Sequence, residues 1–247
     1  MVFLTQWLTN LPEAVIQSVT QWLAKLRETF IDTNYWQMML EGLGNTMIIT
    51  LGALLIGLVI GVFIAVIKYC SEDVKALKPL AWLCNAYVTV IRGVPVVVLL
   101  LIFFFIILTR ADGITVGILT FGINSGAYMA ELIRSGINAV DVGQMEAGRS
   151  LGLSRIQTMR RIILPQAVRY ILPAIGNELI ALLKETAVAG YVAVVDLTRA
   201  GNLVRNNTYD AVNPLLIVAL TYFLLVLILT KLLGGLERRL SKNDKRN

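Results

Sequence analysis

The chain has 247 residues, of which 57% are hydrophobic and only 15% charged, and its mean hydropathy is +0.73. Soluble domains are less apolar and carry more charge, so this composition predicts an integral membrane protein. The net charge of +6 lies where loops flank apolar blocks, which favours membrane topology and lipid contact over nucleic-acid binding; the absence of histidine excludes histidine-based metal or acid–base chemistry.

Residues 1–42 are predicted to be an N-terminal amphipathic extension. The start "MVFLTQWLTNLPEAV" lacks a basic region before an uninterrupted apolar core, so it does not resemble a cleaved signal peptide. Residues 13–30 place apolar side chains at helical spacing: Val15, Val19, Trp22, Leu23, Leu26 and Phe30. A helix lying on the membrane surface fits this pattern. A helix packed against another subunit is the alternative.

Apolar blocks long enough to cross a membrane follow, since a helical span needs about 20 residues. The blocks do not alternate polar and apolar residues, which favours helices over a β-barrel. We predict an all-α membrane protein with five spans in a permease domain of residues 43–235, at about 43–69, 80–108, 114–137, 167–195 and 215–233. Residues 236–247 form a basic tail.

Two of these spans carry residues that shape a transmembrane helix. Gly52, Gly57 and Gly61 in the first span would let a neighbouring helix approach closely. In the second span Pro95 removes a backbone donor and disfavours helix at the preceding residue, so a kink or break is expected beside Arg92.

Lysine and arginine are distributed unevenly between the two sides of the predicted topology. Fifteen lie in residues 68–79, 134–169 and 231–246, against five on the other side: Lys25, Arg27, Arg110, Arg199 and Arg205. The positive-inside bias therefore predicts a cytoplasmic central loop and C-terminus, with the N-terminus outside.

The central loop, residues 138–165, is unusually polar and contains helix-capping patterns. Asp141 with Gln144, and Ser154 with Gln157, match the capping box, and Gly152 lies where the first helix needs a left-handed residue. Pro165 is expected to end the second helix. The loop thus predicts two short helices held at a fixed angle, shaped to fit into a partner.

Glu146-Ala147-Gly148, Leu151-Gly152 and Ile163-Leu164-Pro165 closely resemble the EAA loop of bacterial ABC importer permeases, with Gly148 where the motif has alanine. The polar amino-acid uptake branch of that family is further indicated by four stretches: "IRGVP" at 91–95, "AYMAELIRSGI" at 127–137, "GQMEAGRSLGLS" at 143–154 and "IILPQAVRYILPAIGNELIALLKET" at 162–186. The resemblance covers about residues 43–235.

This resemblance implies a coupling helix that sits in a cleft of a separate cytoplasmic ATPase, a purely structural loop being the alternative. The implied coupling residues are Glu146, Ala147, Gly148, Arg149, Leu151, Gly152 and Leu153. It also implies an ABC ATPase dimer, a second permease copy or a similar permease, and an extracellular or periplasmic substrate-binding protein. The chain has no Gly-Lys dipeptide and hence no phosphate-binding P-loop. No cofactor is therefore expected in this chain, and ATP and Mg would be bound by the partner.

Ionisable residues inside a membrane are costly and suggest function. Glu178 and Glu185 are seven residues apart and share a helix face that could meet a zwitterionic amino acid. The alternative, favoured for either glutamate taken singly, is that it pairs with Lys184, Arg92 or a polar group across a dimer and only holds helices together. Glu131 and Arg134 are expected to support the central loop. The candidates for the substrate pathway are Arg92, Asn124, Ser125, Asn177, Glu178, Lys184 and Glu185.

The leading functional prediction is the multi-pass, membrane-spanning subunit of an ATP-driven importer of polar amino acids in the bacterial cell (inner) membrane. It would be a transporter permease subunit and not an enzyme, with no metal site. The alternative is a stand-alone carrier driven by a proton or Na⁺ gradient, in which the acidic residues of the fourth span relay ions.

Overall fold

A computed structural model describes residues 13–244. The helices in chain order are α1 (Glu13–Arg27), α2 (Tyr35–Cys70), α3 (Lys78–Gly93), α4 (Val96–Ile102), α5 (Gly113–Asn138), α6 (Val142–Ser150), α7 (Arg155–Thr158), α8 (Leu164–Glu185), α9 (Leu197–Thr208) and α10 (Asn213–Asp244). The predictions for residues 1–12 and 245–247 lie outside the described residues.

Three helices between residues 13 and 244 are long and apolar enough to cross a membrane: α2, α5 and α10. They contain the predicted first, third and fifth spans. The predicted second span corresponds to α3 and to α4 with its π-helical extension (Phe103–Ile107), two pieces bent by 106° that count as a fourth span only if taken together. The count of five spans therefore stays a prediction.

The α-helix of the predicted fourth span, 167–195, ends before the predicted end of that span. Helix α8 stops at Glu185, and residues Thr186–Val192 form a 3₁₀ helix that ends at Ala193 with a φ of 62°. The Thr186 hydroxyl donates to the Leu183 carbonyl oxygen at 2.8 Å, inside this tightened turn. Charged side chains also interrupt α8, which keeps its 22 residues outside the set of apolar spans.

The predicted break at Pro95 is confirmed. Val94 is extended, with φ −107° and ψ 131°, and Pro95 precedes the first residue of α4. The physical reason is the one that the sequence suggests: the proline ring disfavours helix at Val94, and Pro95 has no N–H to donate.

Helices α2 and α5 approach each other at the glycines of the predicted small-residue row. A Cβ atom at Gly61 would lie 2.4 Å from Met129 Cβ, and one at Gly57 would lie 2.8 Å from Ser125 Oγ. Neither position could hold a larger residue without displacing α5. In a membrane, where lipid is as apolar as leucine, such close packing is a main source of helix association.

A buried core joins α2, α4, α5 and α8. Ile49, Leu100, Phe121 and Leu182 contribute to it from these four helices, and each is at most 1% exposed. The core fixes α5 against α8, the two helices that carry most of the intramembrane polar residues.

Helix α1 confirms the helix that the spacing over residues 13–30 predicts, and a π turn, Glu28–Asp32, continues it. Phe30 is buried beside Leu197 and Val204, and Lys25 Nζ lies 3.7 Å from Asp210 Oδ2. The end of α1 and the π turn after it are thus attached to α9 and to the turn before α10, while the apolar side chains of α1, Val15, Ile16, Val19, Trp22 and Leu23, are exposed.

The expectation that Pro165 ends a short helix is wrong. Helix α7, a π turn over Met159–Ile163 and α8 follow one another without a break, and Pro165 lies in the first turn of α8. The π turn gives the reason, because Leu164 N donates to Met159 O across the wider turn and the helix continues past a proline that has no donor.

Candidate functional site

The central loop, which we name the EAA segment (residues 138–165), is capped at both of its predicted helix starts. The Asp141 side chain accepts from Gly143 N at 2.7 Å and begins α6. At Ser154 the capping box is complete, since Gln157 N donates to Ser154 Oγ at 3.2 Å and Ser154 N donates to Gln157 Oε1 at 2.8 Å. The predicted box at Asp141 does not form, because its side chain accepts from the second helical residue, Gly143, and Gln144 Oε1 accepts from Gln166 Nε2 at 3.2 Å.

Helix α6 ends in the glycine turn that the sequence predicts. Gly152 has a φ of +81°, Leu153 N donates to Gly148 O at 3.1 Å, and Gly152 N donates to Arg149 O at 3.0 Å. These two bonds form a Schellman motif, in which a left-handed residue satisfies the last helical carbonyls. The turn sets the direction in which α7 leaves α6.

Gly148 is buried where α6 crosses α7. A Cβ atom there would lie 2.4 Å from Thr158 Cγ2, and Thr158 is itself fully buried. This contact explains glycine at the third motif position. It also makes Gly148 a packing residue inside the EAA segment rather than a contact for a partner.

The remaining coupling candidates lie at or near the surface. Glu146, Ala147, Arg149, Leu151 and Gly152 are exposed, and Leu153 is half-buried. Leu151 is 80% exposed, and two apolar neighbours not singled out from the sequence, Val142 and Ile156, are 73% and 68% exposed. We call these three exposed apolar side chains the apolar ridge. A cleft in a partner could cover them, because such side chains gain little by facing water.

The opposite face of the EAA segment is anchored inside the bundle. Val140 and Ile163 pack with Ile133 of α5 and Ala167 of α8, and Met145 covers them from α6. A force applied at the ridge would therefore reach α5 and α8 directly.

Four of the pathway candidates are brought together between α5 and α8. Ser125 Oγ donates to Glu178 Oε1 at 2.9 Å, and Asn124 Nδ2 donates to Glu185 Oε2 at 3.4 Å. Asn124 and Ser125 are buried, whereas both glutamates are half-buried. The cluster offers two carboxylates whose remaining lone pairs could receive a cationic group.

The other three candidates do not join this cluster. Arg92 is exposed, and its guanidinium lies 5.1 Å from the centre of the Tyr128 ring, beside a cavity of about 500 Å³ that Asn85 and Glu131 also line. Asn177 and Lys184 lie on the exposed side of α8. Among the described residues, no ion pair joins either glutamate of α8 to Arg92 or Lys184.

Glu131 joins α5 to α2 and also pairs with Arg134 on its own helix. Arg134 Nη2 lies 2.7 Å from Glu131 Oε2, and Lys68 Nζ of α2 lies 3.5 Å from Glu131 Oε1. Glu131 and Arg134 were expected to support the central loop. Their ion pairs are instead with each other and with Lys68.

Asn45, Thr46 and Thr50 of α2 form a row of polar contacts, which we call the polar seam and which was not predicted from the sequence. Asn45 Nδ2 donates to Val195 O at 2.9 Å, Leu197 N donates to Thr46 Oγ1 at 3.1 Å, and the Thr50 and Thr186 hydroxyls lie 3.5 Å apart. The seam fastens the segment between α8 and α9. Uncharged threonines in an apolar helix give no signal of such a role.

The same segment holds a cavity of about 530 Å³, with Gly190, Tyr191, Asp196, Arg199 and Asn202 among its lining residues. Asp196 is buried, caps α9 by accepting from Thr198 N at 2.9 Å, and has its pKa raised by burial. Arg199 Nη1 donates to Gly190 O at 2.9 Å. These bonds build the cavity wall.

Comparison with known proteins agrees with this architecture. The family described as binding-protein-dependent transport system inner membrane component matches residues 57–242. The arginine transport system permease protein ArtQ of Bacillus subtilis is 37% identical over 209 residues, which is 83% of this chain and 93% of the relative. The probable glutamine ABC transporter permease protein GlnM of the same organism is 36% identical over 211 residues, 84% of this chain and 95% of the relative.

A crystal structure of an amino acid ABC transporter with histidines is 40% identical, with a TM-score of 0.78 and coverage of 84% of this chain and 96% of that one. An inward-facing methionine ABC transporter, at 21% identity and a TM-score of 0.69 over 83% of this chain and 97% of that one, shares the fold. The chain is therefore a membrane protein of the binding-protein-dependent transport system inner membrane component family, and it belongs there to the amino-acid ABC transporter permeases, which are transporter subunits and not enzymes.

Proposed function

We propose that the chain is the membrane-spanning subunit of an ATP-driven importer of polar amino acids, coupled to separate ATPase subunits through its EAA segment. The observation that carries this proposal is the rigid, capped α6–α7 element with an apolar ridge at Val142, Leu151 and Ile156. A ridge of this kind, held in place by a Schellman turn and the Gly148–Thr158 contact, suits a cleft in a partner.

In this proposal the five predicted spans place the EAA segment and the C-terminus in the cytoplasm, with the N-terminus outside, and the subunit crosses the bacterial inner membrane several times. Two such subunits, either copies or similar permeases, form the pathway between them. An ABC ATPase dimer binds ATP and Mg on the cytoplasmic side, and a substrate-binding protein delivers the amino acid from outside. In this arrangement the exposed apolar face of α1 lies on the external surface of the inner membrane.

The Asn124, Ser125, Glu178 and Glu185 cluster is the proposed contact for substrate within the subunit. Two carboxylates held by amide and hydroxyl donors would attract the ammonium group of an amino acid or a cationic side chain. The relatives named for arginine and glutamine transport support a polar amino acid as the substrate class.

Transport in reconstituted vesicles tests the proposal. The chain would be purified with the ATP-binding subunit and binding protein from its own organism, and uptake of labelled L-arginine and L-glutamine would be followed with and without ATP. ATP-dependent uptake of either amino acid is the expected result. Uptake that needs no ATPase and follows an imposed proton or Na⁺ gradient would overturn the proposal.

A further inference from the structure

The EAA segment is connected by the chain to only two of the long helices. It follows α5 directly and runs through α7 and the π turn into α8. Helices α2 and α3 are joined to each other by the short connection of residues 71–77 and have no chain connection to the EAA segment. Any direct mechanical link from the segment to that connection must therefore be made by side chains.

Arg155 makes such a link. Its Nη1 donates to Asp73 Oδ1 at 2.6 Å, its Nη2 donates to Glu72, and its guanidinium lies 4.9 Å from the centre of the Tyr69 ring. The planar fork of arginine can contact two carboxylates and stack on an aromatic ring at once, which the ammonium of lysine cannot do. We call these four residues the Arg155 clamp.

Both ends of the clamp are held by local structure. Arg155 is the first residue of α7 and follows the complete capping box at Ser154. On the other side, Val74 N donates to Cys70 O at 3.0 Å and Ser71 Oγ donates to Lys68 O at 2.7 Å, which closes the turn that carries Glu72 and Asp73. A charged contact between two rigid turns transmits displacement, whereas one between flexible loops would absorb it.

Arg155 is the more shielded partner in both ion pairs of the clamp. The Arg155 side chain is 31% exposed, less than the 62% of Glu72 and the 49% of Asp73. An isolated surface ion pair contributes little to stability. A guanidinium shared by two carboxylates and a ring holds its geometry better, and these partners raise the pKa of Arg155, so it stays charged.

We infer that the Arg155 clamp positions α2 and α3 relative to the EAA segment, so that movement of the segment driven by ATP also moves these two helices. This inference rests on the proposed function. Helix α3 ends at the break beside Pro95, and its Arg92 lines a cavity with Tyr128 of α5, so its displacement would reach the 106° bend between α3 and α4.

The test is the ratio of amino acid transported to ATP hydrolysed, measured in vesicles that contain the whole transporter. Arg155→Ala should retain ATP hydrolysis while the ratio falls about fivefold, as expected when charge-assisted hydrogen bonds are lost. Arg155→Lys should give an intermediate ratio. Arg160→Ala, which removes an exposed arginine from the following π turn, is the matched control and should leave the ratio unchanged.

A second variant covers the case in which Arg155→Ala fails to assemble. The Glu72→Gln/Asp73→Asn pair leaves the EAA segment intact and should lower the ratio to a similar extent. Adding Arg155→Ala to that pair should cause no further loss, because all three changes break the same link. Additive losses, or a wild-type ratio in Arg155→Ala, would overturn the inference.

Distances between spin labels separate this inference from the proposed function. With Cys70 and Cys84 replaced, labels at Val74→Cys and Ile156→Cys, both at exposed positions, should give a narrow distance distribution that broadens in Arg155→Ala. A wild-type protein without ATP-dependent uptake defeats the proposed function alone. A distribution that is unchanged by Arg155→Ala defeats the clamp whatever the uptake result.

Discussion

Ser125 of α5 donates a hydrogen bond to Glu178 of α8 at 2.9 Å, across 53 residues of sequence. The bond joins a buried hydroxyl to a half-buried carboxylate, and Asn124 and Glu185 repeat the arrangement on the same two helices. Two readings of Glu178, a contact for substrate and a tie between helices, therefore predict different mutant behaviour.

Glu178→Gln separates the two readings. The glutamine carbonyl oxygen can still accept from Ser125, so thermal stability should stay near that of the wild type, while uptake of labelled arginine should fall about tenfold because the charge is gone. Uptake kinetics and the melting temperature would be measured on the same preparations. Ser125→Ala is the companion variant, since it removes the bond and keeps the carboxylate. Wild-type uptake by Glu178→Gln, together with lower stability of Ser125→Ala, would leave the pair as a helix tie only.

Gly152→Val should uncouple ATP hydrolysis from transport. A β-branched residue at a φ of +81° costs roughly 1–3 kcal/mol, enough to unwind the Schellman turn and swing the apolar ridge away. Nothing lies within 4 Å of a Cβ at this position, so the effect would come from the backbone and not from a clash.

The measurement for this variant is the ratio of amino acid transported to ATP hydrolysed by the whole transporter in vesicles. Gly152→Asn is the control, because asparagine tolerates the left-handed region, and it should retain most of the wild-type ratio. Equal loss in both variants would mean that the side chain and not the backbone is responsible.

Gly148→Ala should destabilise the EAA segment even though alanine stands at this position in the family motif. The added Cβ would meet Thr158 Cγ2 at 2.4 Å, and crowding of this kind typically costs about 1–3 kcal/mol. Thr158→Ala, which removes that methyl group, should restore stability when the two changes are combined. Melting temperatures of the single and double variants test the point, and a double variant as unstable as Gly148→Ala would contradict it.

The apolar runs and Pro95 allowed several helices to be predicted from the sequence. The periodicity of a helix shows which residues share a face but not which neighbour that face meets, so the Ser125–Glu178 and Asn124–Glu185 contacts were beyond prediction even though all four residues were candidates. The Arg155 clamp was hidden for the same reason, because it joins residues 82 and 83 positions apart.

The two ends of α8 were predicted incorrectly from local sequence signals. Pro165 usually marks a helix end, but the π turn before it lets α7 run into α8. Just past the end of α8, the Thr186 hydroxyl lies 3.5 Å from the Thr50 hydroxyl of α2, a contact between residues distant in sequence. Neither a π turn nor such a contact has a recognisable pattern in a single sequence.

Asp210 should make the turn before α10 sensitive to acid. Burial alone would raise the pKa of its carboxyl, but donors from Asn213 N at 3.2 Å and Val212 N at 3.1 Å, with the Asn213 amide at 2.7 Å, hold the pKa below its usual range. The stability that the carboxylate contributes is complete above the unfolded pKa of about 3.9 and is lost as the pH falls through the lower folded value.

Asp210→Ala should therefore lower stability by about 1–2 kcal/mol at neutral pH and lose part of the acid dependence. Thermal unfolding between neutral pH and pH of about 3 measures both effects. Asn207→Ala, at an exposed position in α9, is the control and should keep the wild-type profile. An identical pH profile in Asp210→Ala would show that another group causes the acid sensitivity.

The predicted orientation can be tested with single cysteines in a chain from which Cys70 and Cys84 have been removed. Arg149→Cys lies on the exposed surface of the EAA segment, and Asn206→Cys lies on the exposed side of α9, in the connection predicted to face outward. A membrane-impermeant maleimide added to intact cells should label position 206 and spare position 149, while inverted vesicles should give the reverse. Because the bias of fifteen basic residues over five sets this orientation, labelling of Arg149→Cys from outside would place the EAA segment away from any cytoplasmic ATPase and refute the proposed coupling.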